Sequence, residues 1–226
     1  TGKGGETELP LVNEPGERWT YGASTKVVGD VAARITGLPV DAFLARRIFE
    51  PLGMTDTAYS VPAAKRDRVV TLHERKGGRL VETPNPETLG GEPRGDGRLF
   101  STAADYCRFV QLILNEGRWG GRRLLKAETV REMEKNQTGE VRVRLQPTAR
   151  PDYSRPYPMG VGEDVWGLGF QIAAPRRAEA NRRRAGSLSW AGIANTFYWI
   201  DPRERIGVIV LMQMLPFYDD AALGVL

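Results

Sequence analysis

One histidine and one cysteine stand among 226 residues, and each scarcity removes a mechanism. His73 and Cys107 cannot between them furnish the three or four ligands of a zinc site. A Ser-His-Asp triad would have to use His73, the one imidazole present. A single thiol forms no disulfide within the chain, so Cys107 says nothing about redox compartment. Long apolar runs are also missing: the longest, Ile206 to Leu215, is broken by Gln213 and falls well short of the roughly 20 residues of a membrane span. Lysine is scarce too, 6 residues against 26 arginines. Arg176-Arg177 and Arg182-Arg183-Arg184 are the densest basic clusters, but elsewhere arginines alternate with acids (Arg66-Asp67-Arg68) and no aromatic interleaving marks a nucleic-acid platform. Neither nucleic acid nor membrane is expected as a partner.

What is present is globular: 41% apolar and 27% charged residues are ordinary proportions for a folded domain. Thr1-Gly2-Lys3-Gly4-Gly5 lacks the charged and apolar regions of a signal peptide. Thr1 is not an initiator methionine, so the natural start is expected upstream, and the compartment is open with the cytoplasm favoured.

Val27, Val28, Val31 and Ile35 predict a helix buried along that face and stopped by Gly37 and Pro39. A second runs from about Val40 to Glu50, with Phe43, Leu44 and Ile48 inward and Pro51-Leu52-Gly53 ending it, so the two read as an antiparallel pair. Strand-like pieces follow at Arg68 to Leu72 and Arg79 to Glu82, with a hairpin around Gly77-Gly78. Thr102 and Asp105 have capping-box spacing before a stripe of Ala103, Tyr106, Cys107, Val110, Ile113 and Leu114. That stripe makes Cys107 a small core side chain. Lys126 to about Lys135 reads as another helix, after which Pro147, Pro151, Pro156 and Pro158 mark a long loop.

The final third changes period. Gly167 to Ile172, Ile193 to Ile200 and Arg205 to Met214 read as strands, the last two joined by the turn Asp201-Pro202-Arg203-Glu204. Ile206 to Met212 is apolar enough to predict a central strand covered on both faces, and the short tail after Asp219 supplies little cover. The architecture expected is α+β, an antiparallel sheet flanked by helices. Its division is a mainly helical region at 1–160 and the sheet strands at 161–226.

Among serines, Ser24 in Gly22-Ala23-Ser24-Thr25-Lys26 lacks the second glycine of a nucleophile elbow and reads as a helix N-terminal residue. Ser101 lies at the start of the capped helix and has a similar explanation. His73 sits beside Glu74 and Arg75 as an ordinary surface histidine. Acid-base work would then pass to tyrosine or lysine.

Glu14-Pro15-Gly16-Glu17-Arg18-Trp19-Thr20-Tyr21-Gly22-Ala23-Ser24, followed by Val27-Val28-Gly29, resembles the tyrosine motif of class C β-lactamase-like serine hydrolases. Ile48 to Thr57, Leu99 to Tyr106 and Gly167-Leu168-Gly169-Phe170 are similar to later signatures of that family in the same order. Ser189-Trp190-Ala191-Gly192 resembles the Trp-Gly-Gly variant of its third motif, found in family VIII carboxylesterases where β-lactamases usually carry Lys-Thr-Gly. The resemblance implies the penicillin-recognising fold and an acyl-enzyme mechanism, with no metal or cofactor.

It further implies Tyr21 as general base, the backbone N–H of Ile193 as one oxyanion donor, and Trp190, Ala191 and Gly192 along the substrate cleft. Trp190 offers no cation for a β-lactam carboxylate, and an indole suits an apolar ester. Ala23 stands where the Tyr-x-Asn form carries an amide. Both departures point towards a carboxylesterase acting on small-molecule esters, with a β-lactamase, a D-amino-acid peptidase or a non-catalytic binding protein of the same fold as alternatives.

The family's nucleophile belongs to a Ser-x-x-Lys motif, and no serine in the chain is followed three residues later by lysine. The serine and lysine are therefore expected on a missing N-terminal segment of the same protein or on a second chain. The 226 residues alone are expected to be inactive.

Overall fold

The computed structural model describes residues 10–175 and 183–223. Arg176, Arg177, Arg182, the opening 1–5 and the last three residues of the tail after Asp219 lie outside these. Helix α1 (Ser24–Thr36) begins at Ser24 and ends on Gly37, whose φ of 68° lets its N–H reach the Ala33 carbonyl. Its buried face differs from the expected one. Val28, Val31 and Ile35 are exposed, Ile35 by 79%, because α1 docks through Gly29 on the opposite side. A Cβ there would stand 2.9 Å from the Cα of Gly95, an approach of backbone to backbone that glycine alone permits.

Helix α2 (Val40–Leu44) runs into a π-helical stretch (Ala45–Phe49) and then α3 (Glu50–Leu52). Pro51 does not end this run. It occupies an early position of α3, where a missing N–H costs little, and Gly53 at φ 68° supplies the stop. Phe49, Leu52 and Met54 pack with Leu112 in a small core.

A 3-10 helix (Ala63–Arg68) ends where the first expected strand, Arg68 to Leu72, was to begin, and strand structure starts only at Leu72. The hairpin follows it: β1 (Leu72–Lys76) pairs antiparallel with β2 (Arg79–Thr83) across Gly77 and Gly78, both at positive φ, as a two-residue hairpin turn demands.

Helix α4 (Ala103–Leu114) is capped by Thr102, whose Oγ1 accepts from the Asp105 N–H at 3.2 Å. The Asp105 carboxylate does not return to the cap. It accepts from the Asp56 N–H at 2.7 Å and the Thr57 hydroxyl at 3.0 Å, and pairs with Arg108 at 3.0 Å, which ties the helix start to the loop after α3. Cys107 is exposed rather than part of the core. At about 100° per residue the buried Leu112 and Ile113 lie roughly 140° and 120° around the helix from it, while the buried Val110 lies only about 60° away. A small hairpin of β3 (Arg118–Trp119) and β4 (Arg122–Arg123) precedes α5 (Ala127–Met133).

The main sheet has the order β5 (Val165–Trp166), β6 (Gln171–Ile172), β7 (Leu188–Gly192), β8 (Thr196–Asp201) and β9 (Ile206–Leu211), antiparallel throughout. Gly167 to Ile172 is thus not one strand. Gly167 to Phe170 is the turn between β5 and β6. The Asp201 carboxylate accepts from the Arg203 and Glu204 N–H groups at 3.0 Å each and forms the expected turn into β9.

Register places Val165, Ile172, Leu188 and Ile200 on one face, where they meet Val110 and Ile113 of α4 and Val130 of α5 in the larger core. Helix α4 lies directly on β9, since a Cβ on Gly207 would come within 2.3 Å of Val110 Cγ1. Among the described residues β9 is an edge strand paired only with β8. It is not the covered central strand expected: Ile206 and Val208 are exposed.

The segment after β9 crosses to the other sheet. There β10 (Met214–Leu215) pairs parallel with β1, His73 opposite Met214, and α6 (Asp220–Leu223) closes the described chain.

Candidate active site

Tyr21 stands three residues before α1, and its N–H donates to the Gln146 side-chain oxygen at 3.1 Å. That bond joins the tyrosine motif to the long proline-rich loop. The Tyr21 ring lies 5.2 Å from Trp190 of β7, and Trp19 lies 6.4 Å from each of them. Trp166 of β5 packs on Trp190 at 4.7 Å and on Trp19 at 5.3 Å. Tyr157 closes the cluster from the loop side, 5.3 Å from Trp190 and stacked on Phe217 at 5.7 Å. Each such pair contributes about 0.5–1.5 kcal/mol beyond area burial, so the wall is stiff and predominantly apolar.

Two tyrosines touch Trp190, and their surroundings separate them. Tyr157 is 9% exposed, and burial pushes its phenol up to about 12, with Arg183 offsetting part of the effect. It remains a protonated phenol at neutral pH. Tyr21 is 54% exposed and is the one of the pair open to an entering substrate. Elsewhere burial pushes Tyr106 up to about 12 and raises Tyr198, its hydrogen-bonded partner, well above the usual range; both belong to the core under α4.

A buried polar floor includes Ser189, the residue before Trp190 in β7. Gln171 donates to the Asp164 carboxylate at 2.7 Å and to the Met159 carbonyl at 2.8 Å, the other Asp164 oxygen accepts from the Ala174 N–H at 3.0 Å, and Arg183 bonds Ser189 and pairs with Asp164. Gly160 is confined to this floor, since a Cβ there would stand 1.9 Å from Asp164 Oδ2.

Beyond Trp190, Ala191 and Gly192 end β7 and Ile193-Ala194-Asn195 turn into β8. Asn195 takes a φ of 56°, the left-handed final position of a three-residue hairpin loop. Its buried side chain donates to the Met214 and Pro216 carbonyls at 2.9 and 2.8 Å and accepts from the Tyr218 and Asp219 N–H groups at 2.8 and 3.4 Å. Asp219 in turn is bridged to Arg75 of β1, whose hydrogen bond holds the carboxyl below the usual range.

The residues singled out in the sequence thus fall into one neighbourhood: Tyr21 meets Trp190, and Ala191, Gly192 and Ile193 continue directly from it. His73 lies apart in the β1–β10 sheet, its Nδ1 3.1 Å from the Thr71 carbonyl. Trp19, Trp166 and Tyr157 were not anticipated as walls. Trp166 immediately precedes the Gly167-Leu168-Gly169-Phe170 signature, and Tyr157 is an aromatic held between Pro156 and Pro158 in an otherwise polar loop; those were the available signals.

The family model described as beta-lactamase matches residues 7–224. The chain belongs to the β-lactamase family. Among curated relatives of this β-lactamase-family chain, an uncharacterized protein of Mycobacterium tuberculosis is 32% identical over 92% of the chain and 52% of its own length. Monacolin J acid methylbutanoyltransferase of Aspergillus terreus is 28% identical over 93% of the chain and 52% of its own length. Among solved structures, simvastatin synthase from A. terreus superposes with a TM-score of 0.76 at 26% identity, covering 95% of this chain and 54% of that one. EstCE1, a hydrolase with promiscuous acyltransferase activity, has a TM-score of 0.69 at 19% identity, covering 91% and 54% respectively, and shares the fold. The chain spans about half the length of the curated relatives it matches.

Proposed function

We propose that this chain is the tyrosine-bearing part of a serine hydrolase that acts on carboxylic esters through an acyl-enzyme. The observation that carries the reading is the exposed Tyr21 ring set 5.2 Å from Trp190 within an aromatic wall. In this reading a serine hydroxyl and a lysine come from sequence outside these 226 residues, on the same gene product or a second chain.

With the lysine's charge favouring the Tyr21 phenolate, the serine oxygen attacks the ester carbonyl carbon as its proton passes to the phenolate oxygen. Two N–H groups, one of them that of Ile193, hold the negative charge on the carbonyl oxygen. The intermediate collapses, the C–O bond to the alcohol breaks, and the leaving oxygen takes the proton back from Tyr21. Water then repeats the sequence on the acyl-enzyme.

The aromatic wall favours an apolar acyl or alcohol part, and Trp190 stands where a cation would be wanted for an anionic β-lactam. The named relatives include an acyltransferase, which supports a second outcome in which an alcohol replaces water in the last step. The test sets p-nitrophenyl esters of increasing acyl length against a chromogenic cephalosporin, using the full gene product. The expected result is ester turnover exceeding β-lactam turnover at least tenfold in kcat/KM. A preference for the β-lactam, or no turnover of either, overturns the reading.

A further inference from the structure

Asn195 has no place in the proton-transfer steps above, yet it is fully buried and its amide uses two donors and two acceptor positions at once. A primary amide has no further capacity. Its own backbone ends the three-residue turn that begins with Ile193. All four partners lie in the single segment 214–219, and the Met214 N–H adds a bond to the Ala194 carbonyl at 3.3 Å.

That segment carries Phe217 and Tyr218, which pack on Tyr157 at 5.7 and 5.3 Å. Phe217 also stacks on Phe197 of β8 at 6.0 Å, while Arg75 anchors Asp219 from the other sheet. One side chain therefore couples the Ile193 turn to the aromatic wall behind Trp190.

We propose that Asn195 is a positioning residue for the acyl-transfer step, holding the Ile193 N–H in register with the wall formed by Tyr157 and Trp190. The proposal rests on the serine-hydrolase reading and on Ile193 as oxyanion donor. A backbone donor is useful in proportion to how little it has to reorganise as charge develops. A turn cross-linked four times to a packed segment is fixed before substrate arrives. Asparagine is also among the few side chains at ease in the left-handed region, so one residue supplies both the turn and the clamp.

The test uses Asn195→Gly in the full gene product, since glycine keeps the positive φ and removes only the amide. Active sites are titrated with a fluorophosphonate so that kcat refers to folded enzyme. The expected result is a 10- to 100-fold fall in kcat per titrated site, KM within about threefold of the parent, and a matching rise in the inhibition constant of an alkyl boronic acid, whose tetrahedral adduct places an oxygen in the oxyanion position.

Asn195→Asp, which keeps the two acceptor bonds, is expected to fall between parent and Asn195→Gly, and it carries the test should the glycine variant fail to fold. Phe49→Leu, in the separate core beside α3, is the control for lost stability and leaves kcat per site unchanged. Asn195 variants with a lower melting temperature but parental kcat and boronate affinity overturn the proposal. Tyr21→Phe in parallel separates the two claims: loss of turnover there with parental kcat in Asn195→Gly removes the clamp alone, whereas parental turnover in Tyr21→Phe removes the reading on which it rests.

Discussion

A Cβ on Gly192 would come within 2.3 Å of the Thr196 hydroxyl oxygen across the β7–β8 hairpin, and that single distance explains a glycine which sequence alone allows as an ordinary bulge residue. Gly192 is the last residue of β7, and a shift there would displace the turn that follows. Gly192→Ala is expected to destabilise the full gene product by about 1–3 kcal/mol, the usual cost of overpacking. Thr196→Ala in the same chain removes the opposing oxygen and should restore most of the loss. Urea unfolding of the two single variants and the double variant measures the coupling; equal effects added without restoration would show that the contact is not the cause. Tyr21 is a case of the opposite kind. Its proposed role comes from the motif around it, but its contact with Trp190, 169 positions later, depends on how the loop bearing Gln146 and Tyr157 folds back.

The helical elements show which local signals survive packing. The Gly77-Gly78 hairpin and the Thr102 cap appear as read, because turn dihedrals and cap bonds are settled within a few residues. Helix α1 also forms where expected, yet its apolar face points outward. Periodicity locates the stripe and is blind to the Gly29–Gly95 approach that decides which side docks. Cys107 was misplaced for a related reason: α4 is pressed between two cores, and its buried half is set by both partners.

Strand β9 repeats the lesson. A run of apolar residues reads as a buried strand, and here it forms the edge of the described sheet with Ile206 and Val208 exposed. An apolar edge with open backbone groups invites pairing with another chain. Ile206→Lys combined with Val208→Lys is expected to reduce self-association of the 226-residue chain, measured by light scattering across a concentration series. Unchanged or greater association would place the sticky surface elsewhere.

At the scale of the molecule, the α+β expectation and the family resemblance hold, the first resting on helical and strand periodicity and the second on ordered motifs spread over the chain. The penicillin-recognising fold gathers Tyr21 near the N-terminal side, the 146–157 loop, and Trp190 on the sheet into one aromatic wall. Trp166 and Tyr157 escaped notice because a wall has no sequence period; it exists only once β5, β7 and the loop are assembled.

On the proposed reading the base is a phenol, and the chemistry needs neither histidine nor cysteine. The chain holds no Ser-x-x-Lys and spans about half the length of its curated relatives. The central claim is that Tyr21 moves the proton when an acyl group is transferred to a serine carried elsewhere in the protein.

Tyr21→Phe isolates that claim, because it keeps the ring packed on Trp190 and deletes one oxygen. The measurement is the pre-steady-state burst of p-nitrophenol from p-nitrophenyl butyrate, with the full gene product and its Tyr21→Phe variant compared at equal folded concentration. The account predicts one equivalent released per site in the parent and an acylation rate lowered by about 10²–10⁴ in the variant; an unchanged burst rate in Tyr21→Phe would contradict it.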